Sequence, residues 1–165
     1  MKTITKLSYA FFLCASLSLV SCSDDDGGST GGNSSGEYVK AKVDGENFSS
    51  SNTIDVVSAT QPMESVLMIQ GSNDSGAFIQ ISLMNFDGEG TYDVSSQLNG
   101  YAQYGTVNPV ATFNSAMGNG ATGEVIITEA TETHVKGTFE FTGRRTQEGT
   151  PETVEVTNGE FKANF

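Results

Sequence analysis

From Glu37 onward the chain is a succession of short runs rich in Val, Ile, Thr and Phe, each closed by a cluster of Gly, Asn or Asp. No apolar spacing of three and four residues persists long enough to define an amphipathic helix. Alternation takes its place. In Val135-Lys136-Gly137-Thr138-Phe139-Glu140-Phe141 the odd positions are apolar or Gly and the even ones polar. A period of two belongs to a strand with one buried face. Val135, Phe139 and Phe141 are therefore expected inward, with Gly137 marking close backbone approach or a bulge. The pattern predicts an all-β domain.

Further strands are expected near residues 53–59, 65–71, 77–84, 90–94, 110–113 and 123–129. In 77–84 one face is wholly apolar (Ala77, Ile79, Ile81, Leu83), as suits a central strand. Two dipeptides have the chemistry of two-residue turns with positive φ at both centres: Asp44-Gly45 and Asn158-Gly159. The second would set Val156 against Phe161 and Val154 against Ala163, with Glu155 and Lys162 attracting one another on the opposite face. Nine or ten strands in residues 37–165 are enough for an antiparallel β-sandwich, which is the first expectation. A closed or partly closed β-barrel, lipocalin-like, is the alternative that satisfies the same pattern.

Composition bounds the function. The 165 residues carry 20 acids against 8 Lys and Arg, a net charge of −12, with 1 His, 2 Cys and no Trp. That is one domain's worth of chain. It excludes a disulfide scaffold, a zinc finger and a basic nucleic-acid surface. No cofactor and no nucleic-acid partner are expected.

Residues 1–21 stand apart. Lys2 and Lys6 precede an uncharged, largely apolar run over residues 7–20, too short for a membrane span of about 20 residues but suited to a secretory signal. Leu19-Val20-Ser21-Cys22 resembles the lipobox of bacterial lipoproteins, which implies diacylglycerol on the Cys22 sulfur and cleavage between Ser21 and Cys22. Cys14 offers no such site, because the bulky Leu13 precedes it. Two or three acyl chains at about 0.8 kcal/mol per buried methylene would hold the chain firmly in a membrane. Residues 22–36 then form a tether rich in Asp, Gly and Ser that has nothing to bury. Its reach is about 20 Å root-mean-square.

Within that tether, Ser23-Asp24-Asp25-Asp26 resembles the lipoprotein export signal of Bacteroidota, which implies display on the outer face of the outer membrane. The enterobacterial inner-membrane retention pattern has Asp where this chain has Ser23. The alternative is a periplasm-facing protein whose aspartates only solvate the linker. Ala41-Lys42-Val43-Asp44-Gly45, Gly90-Thr91-Tyr92, Gly137-Thr138-Phe139-Glu140-Phe141-Thr142 and Thr157-Asn158-Gly159-Glu160-Phe161 together resemble a family of small Bacteroidota surface lipoprotein domains with no assigned function. The resemblance implies a β-rich fold and a cell-surface setting, and no catalytic residues.

Four places are candidates for a site. Asn99, Tyr101, Gln103 and Tyr104, between Gly100 and Gly105, read as a loop whose rings and amides could stack on and hydrogen-bond a sugar. The competing reading has the tyrosines cap the core with their hydroxyls in water. Asp87, Glu89 and Asp93 put three carboxylates in a Gly-rich turn, a weak metal candidate without the order of a calcium loop. His134 is expected on the solvent face beside Lys136, with no Gly-x-Ser-x-Gly nucleophile nearby. Arg144-Arg145 reads as a turn neutralising local acids. The expectation is a non-enzymatic binding or accessory module, anchored to the outer membrane through Cys22, with a glycan or envelope protein as partner. The alternatives are a structural component of an envelope complex and, behind it, a small hydrolase.

Overall fold

The computed structural model describes residues 36–51, 53, 56–120 and 122–165. The signal reading of residues 1–21, the lipid site at Cys22 and the tether up to residue 35 lie outside those residues, as do positions 54 and 55 of the strand expected at 53–59. Twelve strands follow in order: β1 (Tyr38–Val43), β2 (Glu46–Ser49), β3 (Val57–Met63), β4 (Val66–Ser72), β5 (Phe78–Leu83), β6 (Gly90–Asp93), β7 (Ser95–Ser96), β8 (Gly100–Val107), β9 (Val110–Asn114), β10 (Thr122–Ala130), β11 (His134–Gln147) and β12 (Thr150–Asn164). The strands pair antiparallel in one sheet, whose main path runs β2-β1-β12-β11-β9-β8-β5-β4-β3. The sheet curls into a half-barrel, so of the two expected arrangements the chain adopts the partly closed barrel.

The long strand β11 has two partners on one side. Its first half pairs with β10, and Arg144 in its second half pairs with Asn114 of β9. β6 then pairs with β10 and β7 with β8, so residues 90–96 step from one side of the sheet to the other. Ser115, fully buried, secures that corner. Its Oγ accepts the Ala102 N–H at 2.8 Å and donates to the Val94 carbonyl. At the other end of the curl Ser51 N–H reaches the Ser72 carbonyl at 2.8 Å. Gly71 of β4 lies against Val39 of β1 there.

Alternation decides which side chains fill the concave side. Val39, Leu67, Ile69, Ile79, Ile81, Leu83, Val125, Val135, Phe139, Phe141, Val156 and Phe161 are all buried there. The curl therefore encloses packed side chains. Ala77, Ile79, Ile81 and Leu83 form the buried face expected of a central strand, with β5 between β4 and β8.

The Asp44-Gly45 turn is found as expected, with φ of 50° and 85° and Val43 opposite Glu46. Asn158-Gly159 is not a turn. β12 runs straight through it, and Thr157 and Asn158 together face the single residue Glu140 of β11. This is a β-bulge, with Asn158 at φ 51°. Val154 and Val156 are even-numbered, Phe161 and Ala163 odd-numbered, and all four are buried. One extra residue between the pairs is what keeps both on the core side. Val156 thus faces Phe141, Phe161 faces Gly137, and the Glu155–Lys162 pairing does not form. Gly159 leaves room for the Phe139 ring and carbonyl, which a Cβ would strike. The hairpin turn lies earlier, at Glu148-Gly149 (φ 50° and 81°), so Arg144 and Arg145 are strand residues of β11, not turn residues.

β3 also differs from expectation. It extends to Met63 and turns through Glu64-Ser65, because its register shift between Thr60 and Met63 accommodates Pro62. As an edge strand it has no hydrogen-bonded outer neighbour among the described residues to need the missing N–H.

Candidate binding face

A strand that turns its apolar residues into the core presents the intervening positions outward. In β4, β5 and β8 those positions hold amides: Gln70 beside Ile69, Gln80 between Ile79 and Ile81, and Gln103 beside Ala102. Register then lines them up. Ser58, Gln70, Gln80, Gln103, Asn114 and Arg144 stand opposite one another on β3, β4, β5, β8, β9 and β11. The row crosses the convex face of the sheet. Gln103 Nε2 donates to Gln80 Oε1 at 2.5 Å, which fixes both amide orientations, while Gln70 is exposed. Asn114 Oδ1 accepts the Ala116 N–H at 2.7 Å.

Half-buried aromatic rings flank the row. Phe78 packs over Gly105 of the neighbouring strand, and a Cβ at Gly105 would collide with that ring. Tyr101 stands on the other side, opposite Ser82 and Ser95. Gly105 and Tyr101 are four residues apart on β8, about 14 Å along an extended strand. Hydrogen-bonding amides between two half-buried aromatic side chains form a surface suited to a hydroxyl-rich ligand.

The structure separates the residues the sequence grouped. Residues 100–107 are strand, not loop. The glycines that read as loop punctuation serve their neighbours instead. Gly105 makes room for Phe78, and a Cβ at Gly100 would strike the Ser82 carbonyl. Tyr101 and Gln103 share the convex face. Tyr104 turns inward and meets Phe48 edge to face, with ring centroids 6.4 Å apart. Burial, and then the Asp44 carboxylate, push its phenol above the ordinary value. Asn99 holds the chain end of β8, its carbonyl accepting from Met84 N–H and its N–H donating to Ser96 O. Nothing in the sequence groups Gln70, Gln80, Asn114 and Phe78 with Gln103, because only register brings them together.

A family model for a domain of unknown function, DUF6252, matches residues 36–163. The chain belongs to the DUF6252 family. The match takes in every strand from β1 nearly to the end of β12. No curated protein and no solved structure matches the chain.

Elsewhere on this DUF6252 domain the remaining candidates are tied into local structure. Asp87 Oδ1 accepts the Tyr92 hydroxyl at 2.9 Å, and Asp93 Oδ1 accepts the Ser95 N–H and hydroxyl at 2.8 and 2.5 Å. The Ser95 bonds hold the Asp93 carboxyl below its ordinary range, and burial raises the Tyr92 phenol. Glu89 joins neither group, and among the described residues no three His, Cys, Asp or Glu side chains gather as a metal site. His134 Nε2 lies 3.0 Å from Glu129 Oε1, and its Nδ1 lies 3.1 Å from Thr131 Oγ1. This acid–imidazole–hydroxyl trio is a turn device. Thr131 Oγ1 accepts the N–H groups of Thr133 and His134 and donates to the His134 carbonyl, and the Thr133 hydroxyl lies 3.3 Å from the same Nδ1.

The convex face over β10, β11 and β12 has a different character. Asp93, Glu124 and Glu140 stand directly opposite one another on three strands. Two shallow grooves of about 330 and 410 Å³ follow the bulge, sharing Glu124 and Glu140 and adding Glu155 and Glu160. Asp93, Glu124 and Glu140 thus face each other as like charges, whereas Glu160 stands opposite Lys40 of β1.

Proposed function

We propose that this DUF6252 protein is a non-enzymatic binding module, held to the outer membrane by lipid on Cys22 and displayed at the cell exterior, that captures a glycan on the convex face of β4, β5, β8 and β9. The observation that carries the binding reading is the row Gln70–Gln80–Gln103–Asn114 between Phe78 and Tyr101. Amides both donate and accept, which matches the alternating demands of sugar hydroxyls. Ring faces suit the apolar faces of sugar rings. The anchoring reading rests on Leu19-Val20-Ser21-Cys22, and the display reading on Ser23-Asp24-Asp25-Asp26. A structural role through edge-strand pairing is less well supported, since Pro62 and the register shift in β3 blunt that edge.

A glycan array with the full chain in detergent tests the ligand class. Binding to some neutral glycans, weakened at least tenfold by Gln103→Ala, is expected. An array without binders removes the glycan reading. For the anchor, palmitate-analogue labelling of wild type and Cys22→Ala decides: label and membrane partition should both disappear in the variant. Replacing Asp24–Asp26 by Ala should abolish protease access on intact cells, and unchanged access reduces the triplet to linker.

A further inference from the structure

Arg144 and Arg145 are neighbours in sequence with opposite circumstances. Arg145 is fully employed. Its Nε and Nη2 both bind Glu152 Oε2, at 2.6 and 2.5 Å, and its guanidinium lies 4.7 Å from the Phe113 ring centroid. Arg144, one residue earlier, projects from the other face of β11. Gly118 and Gly120 lie close to it, and a Cβ at Gly120 would come within 3.1 Å of its Nη2. Its Nε is buried and has no hydrogen-bond partner among the described residues. No acid answers it. An unpaired, partly desolvated guanidinium is costly in a chain that carries 20 acids, because so many carboxylates could have been placed beside it.

A cleft of about 270 Å³ opens at this point, between residues 117–119 and the β11–β12 hairpin. Arg144 lines it together with Asn119, Thr146 and Thr153, and Met117 and Pro151 supply apolar wall. Arg145 and Glu152 lie at the same cleft but neutralise one another. The volume falls just below that of drug-sized pockets, so it fits a ligand of one sugar or amino-acid residue. Arg144 brings to the wall of this cleft a positive charge that no ion pair among the described residues neutralises, and a guanidinium is the donor group that best matches a carboxylate.

We propose that this cleft is a carboxylate-binding site, with Arg144 as its anion donor and Asn119, Thr146 and Thr153 as hydrogen-bonding groups for the rest of a small polar ligand. The chemical class is a monocarboxylate of single-residue size bearing hydroxyls, a sugar acid being the simplest example. The site does not depend on the amide row as a glycan face, although Asn114 places the row's end beside Arg144.

The test is an NMR titration of the full chain in detergent micelles with glucuronate, with glucose at equal concentration and sodium chloride at equal ionic strength as controls. Glucuronate alone should shift the amides of residues 117–119 and 144–153. Arg144→Gln should weaken that binding at least tenfold. Arg144→Lys should restore only part of it, since the charge returns without the fork. Thermal melts of both variants establish that they are folded, and Lys136→Gln, a cation remote from the cleft, should leave binding unchanged. Shifts that map elsewhere, equal shifts with chloride, or full binding by folded Arg144→Gln would each overturn the proposal. Loss of neutral-glycan binding in Gln103→Ala with glucuronate binding intact would show the two sites to be separate.

Discussion

The convex face of this domain has two halves built on one backbone and filled by opposite rules. Over β4, β5, β8 and β9 the outward positions carry neutral amides that bond to one another across strands, as Gln103 does to Gln80. Over β6, β10 and β11 the corresponding positions carry Asp93, Glu124 and Glu140, which face each other as like charges. The first half gains from its cross-strand pairs, while the second loses a few tenths of a kcal/mol or more at each. Both halves rest on the same buried layer, so their difference lies in what the surface is for, not in what the fold requires. A sheet can tolerate repulsion on its wet side because the cost is small and screened.

The largest break in the comparison would come at the joint. Ser115 ties Ala102 of the amide half to Val94, which leads into the acidic half. Ser115→Ala leaves a buried N–H and a buried carbonyl without their partner, an expected loss of about 2–4 kcal/mol, read from urea denaturation. If stability is unchanged, the two halves do not depend on this corner. A smaller effect is expected from Gln103→Leu, which strands the Gln80 amide; about 1 kcal/mol should be lost by the same measurement. In the acidic half the sign reverses. Glu124→Gln removes a like charge from both neighbours and should raise stability by about 0.5 kcal/mol. That gain should shrink as salt is raised from about 10 to 150 mM, since the Debye length contracts to about 8 Å.

The smallest effect concerns pH. Asp93 has a folded-state pKa below its ordinary value because Ser95 donates two hydrogen bonds to the ionised form. Its contribution is present above the unfolded-state value and disappears as pH falls through the lower folded-state value. Asp93→Asn should therefore reduce the acid-side slope of stability slightly, as measured by thermal melts between about pH 5 and 2. At the alkaline end Tyr92 and Tyr104 act oppositely. Their raised folded-state values favour the neutral phenols, so the stability they contribute is lost as pH rises through those values.

Much of the fold was legible because period-two alternation reports burial directly. Val135, Phe139 and Phe141 are inward, and β5 is central with one buried face, for the reason the spacing gave. The Asp44-Gly45 turn formed where its chemistry pointed. Asn158-Gly159 had the same chemistry and became a bulge. Both outcomes satisfy the shift from even to odd burial between Val156 and Phe161, so local sequence could not choose between them. The choice came from β1 and β11, which flank β12 on both sides and extend past the dipeptide.

What this sequence determined by itself is the alternation of buried and exposed positions, and with it the antiparallel all-β architecture. Those follow from interactions between a residue and its near neighbours, where side-chain direction is set by the strand's own geometry. Tertiary structure alone decided which outward residues meet. Gln70, Gln80, Gln103 and Asn114 are scattered over 45 positions and adjoin only through cross-strand register, and the isolation of Arg144 beside a fully paired Arg145 depends on how Gly118 and Gly120 lie close to it. Register is a property of pairs of strands, fixed by the shared core, and no single strand carries it.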